Sequence, residues 1–164
     1  MADLPDVIGY LYQHYPHKSE LSKARLTKMV YLADWKSVLE RNSQLTDIEW
    51  FFNNYGPYVD DVWQIAFQAN KFNLEHGQNM FGGVKETMSI KKPFSPALSA
   101  EDRWILDHVI KQTKRLYWDD FIKLVYSTYP VLTGVRGENL DLVGAANRYR
   151  SEGANRLTTA QMQP

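Results

Sequence analysis

One segment constrains the fold more than any other. Between residues 20 and 41, Leu21, Ala24, Leu26, Met29, Val30, Leu32, Ala33, Trp35, Val38 and Leu39 leave almost no wholly polar face. A helix apolar nearly all round is normally a central one, covered by other elements. Ser19 or Ser22 offers its N-cap. Lys23, Lys28, Lys36 and Arg41 have stems long enough to lie along apolar surface while their charges stay at its margins. A chain of 164 residues can supply the cover. It has the length of one domain, and a domain near this size buries roughly 68–70% of its unfolded surface.

The flanking segments suggest what the cover is. Val7, Ile8, Leu11 and Tyr15 predict a short helix over 4–14 that stops before Pro16. Over 47–53, Ile48, Trp50 and Phe52 alternate with Glu49 and Phe51, which is the period of a strand. Asn53 to Pro57 reads as a turn, with Pro57 starting a helix over 58–71 that buries Val59, Val62, Trp63, Ala66 and Asn70. Phe72 to Ile90 reads as a hairpin: Phe72 and Leu74 outbound, His76 to Asn79 turning, and Val84, Glu86, Met88 and Ile90 returning. Ser99 and Asp102 form a capping pair for a helix over 100–115, with Trp104, Ile105, His108, Val109 and Gln112 inward. Asp119 is expected to cap a helix over 120–128, and Leu140 to Arg150 a last short helix before a frayed polar tail, 151–164. The expected fold is α+β and predominantly helical: a central buried helix, surrounding helices and a small antiparallel β-sheet.

Most chemistries lack their residues. There is no cysteine, which excludes disulfides, thiolate metal sites and a cysteine nucleophile. His14 and His17 straddle Pro16, and His76 and His108 stand alone, so no metal set has the needed spacing. His108 reads as a core histidine. Phosphate-loop, dinucleotide and nucleophile-elbow patterns are absent. The pairs Asp60–Asp61 and Asp119–Asp120 fall where helices begin, so capping explains them more simply than catalysis. No enzyme activity, catalytic residue, metal or cofactor is expected. Lys+Arg and Asp+Glu both number 19, and this balance argues against a nucleic-acid partner. Lys111, Lys114 and Arg115, like Arg136, Arg148, Arg150 and Arg156, read as solvated surface. No apolar run is long enough to cross a membrane and none resembles a signal peptide, so a cytoplasmic protein is expected.

The stretch from Leu26 to Tyr58 carries a family pattern. Leu26-Thr27-Lys28-Met29-Val30-Tyr31-Leu32-Ala33-Asp34 resembles the K-L-x-Y-x-A-D helix of the SocA-like Panacea antitoxin domain. Leu45-Thr46, then Asp47 to Phe52, then Tyr55-Gly56-Pro57-Tyr58-Val59 resembles that family's strand and G-P-V turn. The resemblance covers about 5–130. It sets the expected organisation as a Panacea-like domain over 1–135 and a C-terminal extension over 136–164. Trp35 and the Trp50-Phe51-Phe52 run are bulkier than the family pattern.

The resemblance implies an antitoxin of a bacterial or phage toxin–antitoxin system, neutralising a cognate toxin by direct protein–protein binding. It leaves as alternatives an adaptor that hands its partner to an ATP-dependent protease, or a DNA-binding regulator. The motif residues Tyr31, Asp34, Tyr55, Gly56 and Pro57 read as scaffold. Tyr31 and Asp34 share a helix face, and Asp34 is placed to accept hydrogen bonds from the Asn54–Tyr58 turn. Trp50, Phe51 and Tyr58 are the candidate partner-binding residues. Adjacent strand residues point to opposite faces, so either Phe51 is exposed or both sheet faces are covered.

Overall fold

A computed structural model describes residues 1–60, 64, 68, 70–78 and 81–162, the stretch 154–162 by its backbone course alone. Helix α1 (Leu4–His14) leads through a single 3-10 turn (Lys18–Glu20) into helix α2 (Lys23–Arg41). Two hairpins follow: β1 (Phe51–Asn53) with β2 (Gly56–Tyr58), and β3 (Phe72–Gln78) with β4 (Val84–Ile90). Helices α3 (Ala100–Thr113), α4 (Trp118–Tyr126), α5 (Tyr129–Thr133) and α6 (Leu142–Met162) close the chain. The fold is α+β and mostly helical, with two small antiparallel sheets.

Helix α2 is the centre. Thirteen of its residues are buried, from Arg25 to Val38. The Ser22 side chain accepts from the Arg25 amide at 3.2 Å and fixes the start. Asn42, at φ 59°, ends the helix in the left-handed region, where asparagine is tolerated. The start lies three residues later than the apolar pattern suggested, because the 3-10 turn absorbs Lys18–Glu20. Lys28 is buried rather than marginal.

Helix α3 starts at the Ser99–Asp102 capping box, as the sequence indicated. Its buried stripe is Ile105, Leu106, Val109, Ile110 and Thr113. The expected inner residues Trp104, His108 and Gln112 lie off that stripe. Trp104 and Gln112 are exposed. His108 is half-buried and stacks on Trp104 with ring centroids 6.2 Å apart. An aromatic at the edge of a helix face counts as apolar in a periodicity reading even where it lies flat on the surface.

The strand expected over 47–53 pairs only at Phe51–Asn53. Its outer edge is occupied by the chain at 137–140: the Phe52 amide donates to the Glu138 carbonyl at 2.9 Å, and the Leu140 amide to the Trp50 carbonyl at 2.8 Å. Pro57 does not open a helix; it faces Phe52 inside β2. The helix expected over 58–71 falls largely outside the described residues, though Gln64 and Gln68 within it are helical. His76, Gly77 and Gln78 extend β3 instead of turning; Asn79 lies outside the described residues. Tyr117, not Asp119, is the N-cap of α4, and Asp119 and Asp120 sit in its first turn, where the helix dipole favours them. Helix α5, opened by Tyr129-Pro130, was not anticipated, and α6 runs to Met162 where a frayed tail was expected.

Candidate functional site

The motif residues converge on a buried carboxylate. Asp34 is fully buried on α2. Its carboxylate accepts from the Thr46 amide at 2.8 Å, the Thr46 hydroxyl at 2.6 Å, Trp50 Nε1 at 2.8 Å and Gln44 Nε2 at 3.5 Å. Gln44 also donates to the Thr46 and Ile48 carbonyls, at 3.2 and 2.8 Å. The segment locked onto α2 is therefore 44–50, not the Asn54–Tyr58 turn. The physical reason is the left-handed Asn42, which sends the chain straight back over the face that carries Asp34. Burial pushes the Asp34 carboxyl up to about 6, against the downward pull of the Thr46 and Trp50 donors.

Tyr31, one turn earlier, packs edge-on against Trp50 with ring centroids 5.5 Å apart. Its hydroxyl lies 2.8 Å from Thr128 Oγ1, which itself donates to the Val125 carbonyl at 2.6 Å. With that proton committed, the tyrosine is the donor. Burial raises the Tyr31 phenol above its ordinary value. Tyr31 and Asp34 thus tie α2 to the end of α4 and to the 44–50 segment.

The second half of the motif shapes a turn. The Tyr55 amide donates to the Asn53 side chain at 2.8 Å, and Tyr55 itself is exposed. Gly56 has φ +97°, a conformation that side chains resist, and a Cβ there would stand 3.4 Å from the Tyr126 ring. Pro57 is buried in β2.

The candidate contact residues divide. Trp50 is 1% exposed and spends its indole on Asp34, so it belongs to the core and cannot meet a partner. Phe51, from the opposite face of the strand, is 38% exposed, which resolves the alternation in favour of an uncovered outer face. Tyr58 is half-buried, and its hydroxyl donates to Asp60. That hydrogen bond, with burial second, pushes the Tyr58 phenol up to about 12.

A family model described as antitoxin SocA-like, Panacea domain, matches residues 26–130, well over half of the chain. The chain belongs to the SocA-like Panacea antitoxin family. No curated protein and no solved structure shows a match. Asp34, Tyr31 and the Tyr55–Pro57 turn all lie inside the Panacea match, and α6 lies beyond it. No described helix is long and apolar enough to cross a membrane.

In this Panacea chain sequence reasoning passed over Arg25 and read Arg150 as solvated surface without its structural contacts. Arg25 is 2% exposed, and its Nη2 donates to the Tyr15 hydroxyl at 2.7 Å and to the Thr113 and Leu116 carbonyls at 2.9 and 2.8 Å. Its guanidinium also lies 4.4 Å from the centre of the Phe121 ring. Arg150, on α6, donates to the Val38 and Leu39 carbonyls, both at 2.9 Å. Each arginine caps the carbonyl end of a helix, where a cation is favoured. Their one sequence signal was an arginine three residues beyond a capping serine, for Arg25. Between α2, α5 and α6 lies an aromatic groove of 570 Å³, lined by Trp35, Leu39, Tyr129, Leu132 and Tyr149 among others.

Proposed function

We propose that this chain neutralises a cognate toxin by direct protein–protein binding. The observation that carries the reading is the Panacea antitoxin match over 26–130. The interior supports it. Tyr31 and Asp34 are consumed in contacts that stiffen the core, which leaves the outer surface free to meet a partner. Phe51, Tyr55 and Tyr58 cluster on the β1–β2 hairpin, which is anchored on one side by Trp50 and on the other by 137–140. Rigid, partly exposed aromatics at such a position are the usual anchors of tight interfaces. Sequestration would use these residues as part of a surface of roughly 1,200–2,000 Å² in total.

The test is co-expression with the protein encoded next to this one, followed by growth and co-purification. The expected result is a neighbour that arrests growth alone, is rescued by this chain and co-purifies with it. Phe51→Ala with Tyr55→Ala, which alters the two exposed aromatics of the hairpin, should weaken the complex without lowering thermal stability. Rescue without a stable complex would replace sequestration by delivery to a protease. A harmless neighbour that forms no complex would overturn the reading.

A further inference from the structure

The β1–β2 hairpin is widened by a third strand that comes from beyond the Panacea match. Phe52 donates its amide to the Glu138 carbonyl at 2.9 Å and accepts from the Gly137 amide at 2.7 Å. Two residues thus stand opposite one, the arrangement of a β-bulge, and Gly137 takes the positive φ, +89°, that such a bulge asks of a glycine. Phe51 pairs antiparallel with Asn139, and the Leu140 amide reaches the Trp50 carbonyl at 2.8 Å. Two side chains add to the hold. Arg136 donates to the Asn54 carbonyl at 3.0 Å, with its guanidinium 5.4 Å from the centre of the Phe52 ring. Leu140 is buried. Residues 135–139 are exposed, and a pocket of 160 Å³, lined by Thr133, Asn139, Ala145 and Arg148 among others, lies between them and α6. The segment is therefore gripped along β1 and stands off from the helix behind it.

We infer that the outer edge of β1 docks an extended segment of a protein partner, and that 137–140 fills this edge until it is exchanged. The chain's own strand shows what fits. The occupant runs antiparallel to β1, with a basic residue at the place of Arg136 and an apolar one four residues later, at the place of Leu140. Backbone bonds at Phe52 and Trp50 supply affinity, and the two side chains supply selectivity. The opposite edge of the sheet is unsuited to this, because β2 offers there Pro57, which has no N–H to give. An open edge pairs readily with a foreign strand, and a covering segment protects it. Opening the segment breaks three backbone bonds and uncovers little apolar surface, so it costs less than opening the core. The incoming strand then makes the same bonds and takes over the anchoring of the hairpin. The site does not depend on the partner being a toxin.

The test uses the full chain and, as probe, a peptide with the sequence of residues 135–141. Hydrogen exchange is followed by NMR. The Phe52 amide should exchange at least about tenfold faster than the amides of Val30 and Tyr31, because the segment opens without α2. Phe51→Cys with Asn139→Cys sets two thiols on paired residues of a chain that has no other cysteine. Oxidation of this variant should slow Phe52 to the α2 rate, and reduction should restore the difference. Gly137→Pro removes the amide that donates to Phe52 and forbids the positive φ. It should bind the peptide at least about tenfold more tightly than the unmodified chain, whose tethered strand competes at an effective concentration on the order of millimolar. Arg136→Ala loosens the segment without touching its backbone and should also bind the peptide, which keeps the test decisive if Gly137→Pro does not fold. A peptide carrying Leu140→Asp should not bind. Exchange of Phe52 at the α2 rate in the unmodified chain would overturn the proposal. So would folded opened variants that ignore the peptide. A disulfide formed between two copies instead of within one would give the edge to a second copy of the chain and overturn it as well.

Discussion

Of the charged groups that helix α2 buries, Arg25 and Asp34, nine residues apart, are handled in opposite ways. Asp34 is an anion surrounded by donors drawn from one short segment, 44–50, and its acceptor capacity is filled. Arg25 is a cation whose hydrogen bonds all leave from one nitrogen, Nη2, while its Nε has no acceptor. The first arrangement is local and complete. The second spans α1, α2 and the end of α3, and is incomplete. The contrast assigns different work to the two ends of one helix. The Asp34 end fixes the return of the chain; the Arg25 end holds three elements together and leaves positive potential behind. A buried ion is costly unless its hydrogen bonds are made, so removing each should report how far its cost has been met.

The largest effect is expected at Asp34. Asp34→Ala leaves the Thr46 amide and hydroxyl and the Trp50 indole without their acceptor. Each orphaned buried donor costs about 1–3 kcal/mol, so a loss of about 3–5 kcal/mol is expected from urea unfolding. A loss below about 1 kcal/mol would show that water or rearrangement replaces the carboxylate, and would remove the contrast with Arg25.

The next test is pH. Burial raises the folded-state Asp34 pKa to about 6, above the unfolded value of 3.8. The folded chain therefore holds this proton more tightly. The stability contributed by that difference is fully present below about pH 4 and is lost as the pH rises to about 6. A decline on the order of 2 kcal/mol is expected across that window in the unmodified chain. Asp34→Ala should remove it. The same slope in both proteins would assign it to other groups.

Arg25→Met should cost less than Asp34→Ala, about 1–2 kcal/mol. The substitution abandons three acceptors, but it also removes a buried charge and an orphaned Nε. Carbonyls at a helix end tolerate a missing partner better than an amide does. If Arg25→Met proves the more damaging, the cation is the better-compensated ion and the comparison reverses. Equilibrium unfolding of the two variants side by side decides it.

The legibility of the two ends from sequence follows from the same physics. Asp34 stands out as an acid within an apolar helix, in a motif, with Tyr31 one turn away. What the sequence could not show was which segment would supply its donors, because that depends on the left-handed turn at Asn42. Arg25 was passed over because arginine in an amphipathic reading counts as surface, and its acceptors lie in residues 15, 113 and 116. The central position of α2, the capping box of α3 and the alternation through 48–52 were readable, being local patterns of burial and hydrogen bonding. Pro57 in a strand and the exposure of Trp104 were not: Pro57 pairs with Phe52 across a hairpin where a helix start was the expected role of a proline, and Trp104 lies at the surface beneath Lys36 of α2, remote in sequence.

The smallest effect sharpens the contrast most. Tyr15→Phe removes the phenol that accepts from Arg25 at 2.7 Å and leaves the two carbonyls in place. If Arg25 is held chiefly by the carbonyl end of α3, the loss should be small, about 0.5–1 kcal/mol, the ordinary worth of one hydrogen bond. If the phenol is the principal acceptor, the guanidinium loses its main support inside the core, and the loss should approach that of Arg25→Met. The double variant separates these outcomes. Tyr15→Phe should add little once Arg25 is methionine, because residues sharing one hydrogen bond couple instead of adding. Full additivity would show that the Tyr15 hydroxyl acts through its own 3.4 Å hydrogen bond to the Thr113 carbonyl, and that the cation belongs to the α3 terminus.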